Sequence, residues 1–257
     1  MTDGRSLDLQ QHCELADRVL ELVRTRIPQG PAPDIRDWND VLLVEAFGRA
    51  FRCLRSIREL AGRREGDDAA VVTRALIGLT LRYLWLATVD DPAERHNRLQ
   101  RLQLTWARDR AILGEELIGL GYMPDDEAGR ESVAQFRARA DQLERDGIGR
   151  VVDREIALQL DRELEPTTPK IFELMYALIY RQTSDVAHYG IGTALAGYLS
   201  KANRETVVTL DQGDEERAAL ALGLALSTYV AFLDFTEPII RHGCAADVDQ
   251  LIGSLLN

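Results

Sequence analysis

Asp91–Gly121 reads DPAERHNRLQRLQLTWARDRAILGEELIGLG, and it carries the punctuation of a whole helix. Aspartate can accept hydrogen bonds from the first unpaired N–H groups of a helix, and proline suits the first helical position, where no intrahelical bond is lost. Asp90 or Asp91 before Pro92 is therefore a start signal, and Gly121 is a stop. Between them Leu99, Leu102, Trp106 and Leu113 recur at helical spacing and form one apolar stripe. That stripe predicts Trp106 as a core residue of a helix over Pro92–Leu120.

The same grammar extends along the chain in both directions. Upstream, Leu15, Val19, Leu22 or Val23, and Ile27 place a first helix in Leu7–Ile27, which QGPAPD interrupts. Asp37 or Asn39 can cap a second helix carrying Phe47, Leu54, Ile57 and Ala61, and a third spans Ala69–Val89. Downstream, Asp125–Arg145 is a polar fifth helix. The pattern weakens over Asp146–Lys170, which holds at most one short helix. Thr168 and Pro169 cap a sixth, Lys170–Tyr189. GIGTALAGYLS is a glycine-interrupted short helix, and Thr206–Leu210 is a lone β-like run with nothing to pair with. A long apolar helix starts at Asp214, and a last one covers Ala245–Leu256.

These elements predict an all-α fold, a mainly antiparallel helical bundle of about eight to nine helices in one domain over 1–257. Within it, 1–36 holds the first helix and a proline-rich loop, 37–145 a first helical block, 146–169 an irregular excursion, and 170–257 a C-terminal helical block.

Composition narrows the function. With 46% hydrophobic and 28% charged residues the chain is globular. Apolar stretches such as Ala75–Val89 and Ala218–Tyr229 stop short of about 20 residues or carry polar ones, so no membrane span is expected. MTDGRSLDLQQ lacks the pattern of a signal peptide, which points to the cytoplasm. The net charge of −11 opposes indiscriminate binding to nucleic acid or anionic lipid. Lys170 and Lys201 are the only lysines, so nearly every cation is a guanidinium fork suited to carboxylate or phosphate. Cys13, Cys53 and Cys244 fit neither a disulfide framework nor metal-ligand spacing, and His12 and His242 beside two of them do not complete a zinc set. No cofactor or metal is expected.

The sharpest motif is YRQTSDVAHYG, Tyr180–Gly190. Arg181 and His188 stand seven residues apart, about 20° short of two full turns, and Ser184 and Asp185 occupy the intermediate turn. An imidazole there could move a proton at a ribose 2′-hydroxyl or a leaving oxygen, and arginine could hold the scissile phosphate. The same residues also read as structure: Arg181–Asp185 is an i,i+4 ion pair, and His188 suits a helix C-terminus closed by Gly190.

Arg49, Arg52, Arg55 and Arg58, continued by Arg63 and Arg64, form either a phosphate groove or a solvated flank paired with neighbouring acids. Arg95–Arg110 is a basic run around Trp106, which reads either as base stacking on Trp106 with phosphate contacts beside it or as Trp106 in the core.

An arginine, six residues and a histidine on a late helix of an all-α domain resembles the motif of the HEPN superfamily. Ala46–Leu99 together with Tyr180–Gly190 also resembles a widespread bacterial family of helical proteins, through Arg74, Asp91, Pro92, Glu94, Arg95, Ser184 and His188. Where that family has a glutamate one turn after Arg74, this chain has Gly78. The resemblance implies a metal-independent ribonuclease of phage defence or toxin–antitoxin systems. Arg181 and His188 would be catalytic, with Tyr180, Ser184, Asp185 and Arg74 in support, and the site would be built by a homodimer acting on RNA, with an antitoxin or other protein partner. The alternative is a non-catalytic bundle that binds a protein or small ligand.

Overall fold

The computed structural model of the chain describes residues 8–27, 38–164, 170–177, 199–200, 207–208 and 214–256. Its elements are α1 (Leu9–Arg26), α2 (Trp38–Gly62), α3 (Gly66–Ala87), α4 (Pro92–Gly119), α5 (Glu127–Arg145), α6 (Asp153–Leu164), α7 (Ile171–Met175), β1 (Leu199–Ser200), β2 (Val207–Val208), α8 (Glu215–Ile240) and α9 (Ala245–Leu256). The protein is an all-α helical bundle, with nine helices among the described residues.

Aspartate starts four of these helices by the same chemistry. Asp8 accepts from Gln11 N–H at 2.8 Å, and its own N–H donates back to Gln11 Oε1 at 2.9 Å to complete a capping box. Asp91, Asp126 and Asp214 accept from the N–H groups of Ala93, Gly129 and Arg217. Each carboxylate satisfies an orphan donor and sits favourably on the positive end of the helix dipole.

The core is built on α3 and α8, with α2 packed on both, α1 against α2 and α8, and α6 on the remaining side of α3. Leu76, Ile77, Leu81, Leu84, Leu222, Tyr229, Phe232 and Leu233 are sealed in it. The central pair runs parallel. Asp214 N–H donates to Arg64 O at 2.9 Å at one end, and about two turns into the pair Thr73 Oγ donates to Ala221 O at 3.2 Å. Gly66 permits this start, because a Cβ there would stand 2.8 Å from Asp214 O and 2.9 Å from Ala218 N.

By length and composition alone, Gly66–Ala87 and Glu215–Pro238 are apolar enough to cross a membrane, contrary to the expectation from sequence. Both are the central helices of this core, which is the reason they are apolar on most sides.

Four local expectations are corrected. Val207–Val208 pairs antiparallel with Leu199–Ser200, so the β-like run is not alone. The end of GIGTALAGYLS is accordingly a strand rather than helix. Over 146–164 the chain is not an excursion, since α6 buries Ile156, Ala157 and Leu160 completely. Trp106 is not core: it is 52% exposed and meets Phe136 of α5 edge-on, ring centres 5.1 Å apart. The reason is architectural. Beyond its base, α4 leaves the bundle and packs chiefly on α5 around the small cluster Leu104, Ala107, Ala140 and Leu143. The stripe that the base of α4 buries is therefore left uncovered further out.

Candidate functional site

Tyr180, Arg181, Ser184, Asp185 and His188 lie outside the described residues. The start of the segment that leads to them is fixed: Asp161 of α6 accepts from the N–H groups of Phe172 and Glu173 at 3.0 and 2.8 Å. Phe172 is buried beside this cap, so α7 is tied to α6 by packing and by hydrogen bonds.

Arg74 lies on α3, half-buried and engaged by a partner. Arg74, Gly78 and Arg82 follow at four-residue steps and share one strip of the helix. Where the resemblance places an acid, Gly78 leaves room for one from another element. Asp153 at the start of α6 brings Oδ2 within 3.5 Å of the position a Gly78 Cβ would take. Asp153 is itself held bidentately by Arg82, at 2.8 and 3.1 Å. The strip is thus arginine, carboxylate, arginine, with its acid supplied across a helix interface.

The arginine series on and after α2 is paired in part. Arg58 grips Asp17 of α1 through two bonds of 2.7 and 2.6 Å, and Arg64 reaches Glu215 of α8. The basic run of α4 is mostly structural as well. Arg95 is buried and closes the end of α3 by donating to Val89 O. Arg98, 3% exposed, donates to Trp85 O and to both carboxylate oxygens of Glu163, and lies over the Trp85 ring. Arg101 donates to the carbonyls of Gly149 and Arg150 and takes a second place over that ring. These arginines bolt the α4–α5 arm to the bundle. Sequence reasoning saw the charges but not their targets, because backbone carbonyls of distant segments leave no sequence signal.

His242 was also beyond reach of the sequence. It is 2% exposed, stacked on Phe47 at 5.3 Å, and enclosed between the end of α8 and α9. Nδ1 lies 3.0 Å from Cys244 N, and Nε2 lies 3.0 Å from Leu233 O. Glu237 Oε2 lies 2.8 Å from Nδ1. Burial pushes the imidazole below its ordinary value despite Glu237, and the ring is neutral in the fold. A base whose folded pKa is depressed stabilises the fold above its unfolded value, near 6.5, and that contribution is lost as pH falls through the folded value. The melting temperature is therefore expected to drop between pH 7.5 and 5, and His242→Phe, which keeps a ring on Phe47, should flatten that slope. An unchanged slope in the variant would exclude His242 as its source. The neighbouring Cys244 thiol is raised to about 11 by burial, which makes it inert.

All three cysteines are free, and among the described residues no group of three or more His, Cys, Asp or Glu side chains is placed to hold a metal ion. What the described residues define is a helical bundle with an arginine–carboxylate strip on its central helix. In comparisons with family models, curated proteins and solved structures, the chain matches none.

Proposed function

We propose that the chain is a HEPN-like endoribonuclease that cleaves RNA without a metal ion, acts in the bacterial cytoplasm in phage defence or stress response, and assembles its site as a homodimer. The observation that carries this reading is the sequence spacing of Arg181, Ser184, Asp185 and His188, which on a helix would set a guanidinium and an imidazole about two turns apart on one face. His188 takes the proton of the 2′-hydroxyl, O2′ bonds to phosphorus, the bond to O5′ breaks, and an imidazolium returns a proton to the leaving oxygen. Arg181 anchors the phosphate and offsets its developing charge. Ser184 and Asp185 orient the pair, Tyr180 flanks it, and Arg74 supports it from α3. The all-α fold is the class in which this motif occurs.

The test is incubation of the purified chain with labelled RNA in chelator. Cutting is expected, and His188→Ala should slow it by about 10²–10⁴-fold while leaving the melting temperature unchanged. No cutting by the parent chain, or a variant that melts about 2–4 °C lower with no activity to lose, would leave the structural reading of the motif instead. The non-catalytic alternative, a bundle that binds a protein such as an antitoxin or a small ligand, draws on one observation. The arginines at the base of α4 are engaged in holding the fold.

A further inference from the structure

Between α4 and α6 lies a cleft of about 440 Å³ lined by Arg101, Arg150, Glu155, Leu158, Arg162 and Glu163, with Gln159 beside them. Three guanidiniums converge on one concavity in a chain whose net charge is −11. The carboxylates there do not cancel them. Glu163 is already neutralised from behind by Arg98, through bonds of 2.5 and 3.1 Å. Glu155 reaches Arg101 only at 3.9 Å and also accepts from Val152 N–H at the start of α6.

The cations differ usefully in how they are held. Arg101 is fixed by two backbone carbonyls and the Trp85 ring, and its grip on Arg150 O also fixes the backbone that carries Arg150. Arg150 spends one weak bond of 3.5 Å on Asp109. Arg162 is exposed and makes no side-chain ion pair or hydrogen bond among the described residues. Like charges gathered in a concave, partly desolvated site repel one another and focus a positive field; an anion relieves the first and answers the second. Guanidinium forks match phosphate oxygens bidentately.

We propose that this cleft is a phosphate-binding site, with Arg101 as its fixed anchor and Arg150 and Arg162 closing on the ligand. Its volume suits a phosphorylated small molecule, and the same chemistry would grip one phosphate of an RNA backbone. The site uses none of the motif residues, so it stands or falls apart from the nuclease reading.

The experiment is calorimetric titration of the full chain with pyrophosphate, alongside a single-stranded RNA oligonucleotide. Pyrophosphate is expected to bind, and Arg150→Ala and Arg162→Ala should each weaken binding at least about 10-fold, with unliganded melting temperatures unchanged because both side chains are exposed. Arg110→Ala, which removes an exposed arginine outside the cleft that is unpaired among the described residues, should leave binding as it was. If RNA competes with pyrophosphate and each cleft variant lowers the salt slope of RNA binding by about one, the phosphate belongs to RNA. If RNA does not compete, it belongs to a small ligand. Absence of pyrophosphate binding, or equal loss in Arg110→Ala and the cleft variants, overturns the proposal.

Discussion

Trp85→Ala is expected to lower the unfolding free energy by about 3–5 kcal/mol, read from the shift of a denaturation midpoint at constant slope. Trp85 is completely buried near the end of α3, and two guanidiniums, of Arg98 and Arg101, lie 5.1 and 5.4 Å from its ring centre. Alanine would remove a large apolar contact and leave a cavity the helices cannot close, because Arg98 is tied to Glu163 and Arg101 to a backbone turn. It would also uncover both cations. The indole N–H makes no hydrogen bond, so Trp85→Phe loses volume but no polar partner and should lose only about 1 kcal/mol. The two variants separate packing from polarity. A loss below about 1 kcal/mol in the alanine variant would mean that the base of α4 is not held through this ring.

Arg98→Met should be nearly as damaging, at about 3 kcal/mol, the lower end for breaking a buried ion pair because Glu163 keeps some access to water. Methionine restores most of the stem volume, so the loss reports the guanidinium. That group donates to Trp85 O at 2.8 Å and to the two oxygens of Glu163, and it also reaches Glu94 at 3.1 Å. Burial pushes the Glu163 carboxyl up, but hydrogen bonds from Arg98 and Gln159 outweigh it and hold the group below its ordinary 4.5. An acid with a depressed folded pKa stabilises the fold above its unfolded value, and the contribution vanishes as pH falls through the folded one. Part of the acid limb of the stability profile, below about pH 4.5, should therefore disappear in Arg98→Met. A variant with unchanged stability and an unchanged acid limb would show that the Arg98–Glu163 pair contributes nothing net. The substitution also leaves Glu163 unneutralised at the edge of the cleft, so phosphate binding should weaken without any change to a lining arginine.

Helix identity and many of the ends are properties of short windows, and those were written in the residues. Asp91 and Pro92 start α4, Asp214 starts α8, and Ala245–Leu256 is read with its observed bounds, because caps and periodicity act within one or two turns. The seven-residue spacing of Arg181 and His188 is a property of the sequence, and both residues lie outside the described ones. Which apolar stripe finds a partner is not local. Leu99, Trp106 and Leu113 share a face of α4, yet the bundle ends partway along it, and Trp106 is left half-exposed against Phe136. Nor could a sequence window show that the space beside Gly78 is filled by Asp153, that Arg98 and Arg101 of α4 hold carbonyls of other segments, or that Arg101, Arg150 and Arg162 meet across one cleft. Caps and periods are settled by neighbours along the chain, whereas burial, pairing and field depend on which surfaces the packing brings together, and that is decided only when the whole bundle closes.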